Sequence, residues 1–100
     1  MIPSLGRAVH YVMPETARHP GHHRAATISQ VWTTLPGDEA TESTPVQLHV
    51  FCDVANDGIN PPGILVVRSA VQDPYGKLPG SWHEPERTPV PGKKLETAKA

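Results

Sequence analysis

Val46-Gln47-Leu48-His49-Val50-Phe51-Cys52-Asp53, followed by Val54-Ala55-Asn56-Asp57-Gly58, is the stretch on which the fold turns. Val46, Leu48, Val50 and Cys52 alternate strictly with Gln47, His49, Phe51 and Asp53. A period of two predicts a half-buried antiparallel strand, and its β-branched and aromatic residues suit a pleated surface. Asn56-Asp57-Gly58 then tolerates positive φ, so the chain can turn. This is expected to be the central strand on which the other apolar runs pair.

Working outward, Arg7 to Met13 reads as a first strand, with Val9, Tyr11 and Met13 on one face and Ala8, His10 and Val12 on the other. Pro14 ends it, because proline has no N–H for a ladder. A polar loop from Pro14 to His23 leads to a second strand, Arg24 to Trp32. Here Ala26, Ile28 and Trp32 oppose Ala25, Thr27 and Val31. Thr33 to Pro45 has three acidic groups, no base and no period, and is expected to be an exposed, mobile loop of unusual length.

After the Pro61-Pro62-Gly63 exit, Ile64 to Val71 reads as a fourth strand, apolar on both faces up to Val67 and so expected to be the best buried. A turn-rich segment follows, then a short fifth strand, Ser81-Trp82-His83-Glu84, ending at Pro85. Residues 1–87 are expected to form one domain and residues 88–100 an extended or disordered tail. The predicted class is all-β: a small antiparallel five-stranded barrel, SH3-like or OB-like, with long loops and no convincing helix.

The totals agree with a thin core. One hundred residues, 37% of them hydrophobic and 5% aromatic, support one modest domain whose stability a partner surface would complete. Twelve prolines and eight glycines break up helices. A net charge of −1 gives no global basic stripe, so nucleic acid is not an expected partner. The longest apolar run, Ile64 to Val67, falls far short of the ~20 residues that span a bilayer, and the first residues lack a signal-peptide pattern. A soluble protein made in the cytoplasm is expected. The lone Cys52 excludes an internal disulfide and reads as a buried, reduced thiol rather than a nucleophile.

Six histidines stand out: His10, His19, His22, His23, His49 and His83. His19, His22 and His23 share a loop, and His10 and His49 lie on strands expected to be neighbours. The spacings match no familiar zinc site and there is no CxxC, so neither metal nor cofactor is expected. Arg18 and Arg24 join the loop histidines in a local basic patch suited to a phosphate or an acidic protein surface. Trp82-His83-Glu84-Pro85-Glu86-Arg87 has the mix of an interface anchor, with Trp82 alternatively needed to close the core. No nucleophile elbow, P-loop, dinucleotide fingerprint or HExxH occurs, and an enzyme is not expected.

Several of these segments together resemble a family of small phage- and prophage-encoded proteins. The carriers are Gly6-Arg7-Ala8-Val9-His10-Tyr11-Val12, His23-Arg24-Ala25-Ala26, Val31-Trp32, Val46 to Asp53, Asn56-Asp57-Gly58, and Pro79-Gly80-Ser81-Trp82-His83-Glu84-Pro85-Glu86-Arg87. The family pattern runs GR-x-VHYV, HR-x-A, VW, VNLQVF-x-D, NDG and GTWHWPER. Glu84 stands where the family usually has a second tryptophan, and Ala25 where proline is common. The resemblance implies a phage setting but no activity.

With the thin core and absent catalytic set, the expectation is a virion accessory protein that decorates or stabilises a capsid. Its partner would be the major capsid protein or a neighbouring virion component, contacted through Arg18, Arg24, Trp82, His83, Glu84, Glu86 and Arg87. Self-association is compatible with this. Arg24-Ala25-Ala26 is also partly similar to the loop end of MazF/PemK-type toxins, SH3-like ribonucleases, so the alternatives are such a ribonuclease or a phage protein that binds a host factor.

Overall fold

A computed structural model describes residues 1–33 and 39–85. The strands are β1 (Ala8–Val12), β2 (His23–Val31), β3 (Val46–Phe51), β4 (Ile64–Ala70) and β5 (Trp82–His83), with a four-residue helix α1 (Val54–Asp57) after β3. They form one antiparallel sheet in the order β4-β3-β2-β1-β5. The class is all-β, as the alternating runs predict. β2, not β3, is the middle strand, although β3 carries three of the most deeply buried residues, Val46, Leu48 and Val50.

Among the described residues the expected barrel closure does not occur: the sheet is open, with β4 and β5 at its edges. β5 has two residues before the chain reaches Pro85, too few for a second ladder. The segment after β4 pairs with β5 through one parallel bridge, Gln72 to Trp82, with Asp73 N–H donating to the Trp82 carbonyl at 2.8 Å and Trp82 N–H to the Val71 carbonyl at 3.2 Å.

One face of the sheet makes the core. Val9, Tyr11, Met13, Ala26, Ile28, Val46, Leu48, Val50, Ala70 and Trp82 pack there, and each large aliphatic side chain so buried contributes about 1.5–3 kcal/mol. Two bulges decide what else reaches it. Between Ile28 and Gln30 the β2–β3 register slips by one residue at Ser29, so every later side chain on β2 changes face. Val31 therefore packs against the core, while Trp32, which alternation groups with core-facing Ala26 and Ile28, is 45% exposed. Its indole Nε1 donates instead to the Arg68 carbonyl at 2.7 Å. A second slip between Val46 and Leu48, opposite Val67 to Ala70 of β4, returns Ala70 to the inner face.

β4 was expected to be buried on both faces. It is an edge strand instead, and the residues facing β3's core row, Leu65, Val67 and Ala70, pack inward. Ile64 and Val66 point outward and are exposed. The turn expected at Asn56-Asp57-Gly58 is preceded by a helical turn. Asp53 caps it by accepting from the N–H groups of Ala55 and Asn56, and Gly58 ends it at a φ of 67°, where a side chain would be strained.

Candidate functional site

Arg24 lies opposite Tyr11 at the end of the inner face. Its guanidinium forks onto the Asp57 carboxylate, Nε to Oδ2 at 2.9 Å and Nη2 to Oδ1 at 2.7 Å. The Asp57 side chain is wholly inaccessible and Arg24's is 20% exposed. Asp57 Oδ2 also accepts from the Asp53 backbone N–H at 2.8 Å. The hydrogen bonds from Arg24, outweighing burial, hold the Asp57 carboxyl at about 2. Arg18 serves the same turn: its Nη1 donates to the Ala55 carbonyl at 3.1 Å, and its guanidinium lies where a side chain on Gly58 would stand. Both cations of the expected basic patch thus bond to residues 53–58, Arg24 from a partly buried position and Arg18 from the surface. A shallow cleft beside them is lined by His19, His22, Arg24 and Asn56.

Cys52 completes this end of the core. Burial pushes its thiol up, with Asp57 adding to the effect, which is the opposite of what a nucleophilic cysteine needs.

Trp82 is fully buried in the core beside Tyr11, its partner across β5 and β1. In this conformation it offers no ring surface to a partner. Its Nε1 is buried without a hydrogen-bond partner among the described residues. Glu84 is exposed and lies 3.9 Å from Arg7, an ion pair whose side chains are both more than half exposed and so of little energetic weight. Glu86 and Arg87 lie outside the described residues, as do the expected domain boundary and tail.

On the opposite, outer face, three histidines meet that no sequence grouping placed together. His10 stands directly across from His83 in the β1–β5 pairing. His23 faces Val12, one step along the same face of β1. The His10 and His83 rings meet edge-on at 5.9 Å, and those of His23 and His83 at 4.8 Å. One nitrogen of each lies within 4.8 Å of the others. His83 is buried, His10 half-buried and His23 exposed.

The pair suggested by sequence, His10 and His49, is not a neighbouring one. β2 runs between them, and His49 faces Thr27 and Val66. His19 and His22 touch each other at 5.2 Å; only His23 of the loop trio joins the new cluster.

The His83 side of the cluster is covered by the loop that follows β4. Asp73 accepts the backbone N–H groups of Tyr75, Lys77 and Leu78 at 3.1, 3.0 and 2.8 Å, and these bonds hold its carboxyl below the usual range. The loop so tied brings Gly76 against the His83 ring. A Cβ there would sit 3.1 Å from the imidazole, and Gly76 has a φ of 66°.

No family model, no curated protein and no solved structure matches the chain. No helix among the described residues is long and apolar enough to cross a membrane.

At the other end of the outer face, nothing among the described residues covers the β3–β4 pair. Phe51 and Ile64 stand opposite each other, and Val66 is opposite His49. Their exposures are 51%, 41% and 50%. They form an apolar strip beside an edge strand that pairs, among the described residues, with β3 alone. The bulge near Arg68 and the Trp32 bond blunt the far half of that edge.

Proposed function

We propose that this protein is a phage virion accessory protein, a small β module that attaches to a capsid and decorates or stabilises it. The observation that supports the reading is the bare strip of Phe51, Ile64 and Val66 along the β4 edge. An edge left open beside apolar side chains fits a protein partner that contributes a strand of its own. The partner's backbone extends the ladder and its side chains cover the strip. The major capsid protein or a neighbouring virion component is such a partner, and a repeated lattice multiplies weak single contacts.

The ribonuclease alternative needs a cation free to meet a scissile phosphate. Arg24, its candidate, has its fork occupied by buried Asp57. Binding to a host factor would use the same open edge and differs in where the protein is found.

Purified particles of the phage that encodes the chain, run on a denaturing gel, decide between them. The chain is expected among the particle proteins, and the Val66→Glu variant, folded by circular dichroism, is expected to be missing from them. Absence of the natural chain from particles would overturn the reading, and RNA cleavage that vanishes in Arg24→Ala would favour the ribonuclease.

A further inference from the structure

We propose that His10, His23 and His83 form a binding site for a borderline divalent cation, zinc in the first instance. Three imidazoles would hold the ion, and a fourth coordination position would open to solvent on the His23 side. Imidazole is the common protein ligand for zinc, copper and nickel, and three histidines with an open fourth position is a recurrent zinc arrangement.

The placement of the three rings is set by ladders rather than by loops. His10 and His83 are direct cross-strand partners, and His23 is fixed by the pairing of Val12 with His23 and of His10 with Ala25. Three atoms no more than 4.8 Å apart lie within about 2.8 Å of a common point. Each ring then has to move in by less than ~1 Å to reach the ~2.0–2.1 Å zinc–nitrogen distance. Side-chain rotation on a fixed backbone supplies that.

Burial falls from His83 through His10 to His23, so the site has a protected floor and an entry path. The floor is braced: Gly76 lies against the His83 ring, and the Asp73 carboxylate ties down the loop that carries Gly76. A bound ion would join three adjacent strands. It would clip β5, whose described ladder to β1 is only two residue pairs long, to the body of the sheet. An ion that binds the folded chain raises stability by mass action.

The test uses the full chain, stripped with a chelator and titrated with zinc chloride by calorimetry. Cobalt(II) absorption serves as an independent readout of nitrogen coordination. One zinc per chain is expected, with a rise in the thermal midpoint. Loss of a partner that only orients a metal ligand already costs about 10–100-fold in affinity. Loss of a ligand itself removes at least as much, so His10→Ala and His23→Ala are each expected to weaken binding by roughly a hundredfold.

His23 is exposed, so its variant keeps the fold and carries the test even where a His83 variant does not fold. His49→Ala, and the double variant His19→Ala with His22→Ala, should bind as the natural chain does. No zinc uptake at submillimolar concentration, or uptake that survives His10→Ala and His23→Ala, would overturn the proposal. So would loss of binding in the His19/His22 variant to the same degree.

Discussion

The two ends of the sheet's outer face each carry an outward-pointing valine, Val12 and Val66, and are finished differently. Over β5, β1 and β2 the chain returns after β4, ties itself around Asp73 and seats Gly76 on His83, and Val12 and His83 are both buried on the side away from the core. Over β3 and β4 no described segment returns, and Phe51, Ile64 and Val66 stay bare. Strand alternation alone makes these ends equivalent, since each has apolar side chains on its outward positions. The difference lies in where the connections run. One end is completed within the chain, the other is left for something outside it.

The largest test undermines the covered end from beneath. Trp82 spans β5 and the core, and Trp82→Ala should cost about 3–5 kcal/mol, enough to abolish cooperative thermal unfolding in so small a domain. Trp82→Phe keeps most of the ring and removes the buried indole N–H that lacks a partner among the described residues. It should cost far less in a urea titration. A Phe variant as damaged as the Ala variant would mean that the N–H is bonded in solution.

Next in size is the ion pair that anchors the β3–β4 connection to β2. Arg24→Ala leaves the Asp57 carboxylate buried without its cation, a loss of about 3 kcal/mol by the behaviour of broken buried pairs. The pH dependence follows in sign. Asp57 is held at about 2 in the folded chain, against an ordinary value of about 4. Its contribution is therefore complete above about pH 4 and is lost as pH falls toward 2. Stability measured by denaturant across that window should fall in the natural chain and flatten in Asp57→Asn. An unchanged slope in the Asn variant would assign the acid sensitivity to another carboxylate.

How much of this was legible follows from the same geometry. The inner rows, Val9-Tyr11-Met13 and Val46-Leu48-Val50, can be read from alternation because an unbroken strand keeps its parity. Parity fails beyond Ser29, where a bulge leaves no clear mark in the sequence, and Val31 and Trp32 change places. The apolar run of β4 carries no sign of whether a strand lies beyond it, so an edge looked like an interior. His10, His23 and His83 could each be singled out, but their meeting depends on β5 pairing with β1, a contact between the two ends of the described chain. Arg18 and Arg24 looked like free surface charge because the carboxylate and carbonyl that take them, at Asp57 and Ala55, lie on a different connection.

A smaller effect probes the cover itself. Gly76→Ala sets a Cβ 3.1 Å from the His83 ring at a φ of 66°, whereas Gly21→Ala meets nothing within 4 Å at a φ of 78°. Both carry the backbone strain of a left-handed residue, of order 1–3 kcal/mol. Only the first also has to displace the loop from the histidines. Gly76→Ala should therefore be the more destabilising, and it should speed amide exchange in residues 73–80. Equal costs would mean that the loop already stands away from His83 in solution.

The last comparison uses one residue type on one face. Val12 and Val66 both point outward from the sheet, yet Val12 is 1% exposed and Val66 50%. Burial of a valine side chain is worth about 1.5–3 kcal/mol, so Val12→Ala should lower stability by about 2 kcal/mol, read as a shift of the urea midpoint at constant slope. Val66→Ala removes surface that water already reaches and should change stability by no more than about 0.5 kcal/mol. The measurement is repeated across a wide range of protein concentration. A Val66 effect that grows with concentration means a second copy of the chain covers the strip, and the bare end would then belong to self-association rather than to a capsid. A Val66 effect as large as that of Val12 at every concentration would mean that both ends are covered within one chain, and the contrast between them would be gone.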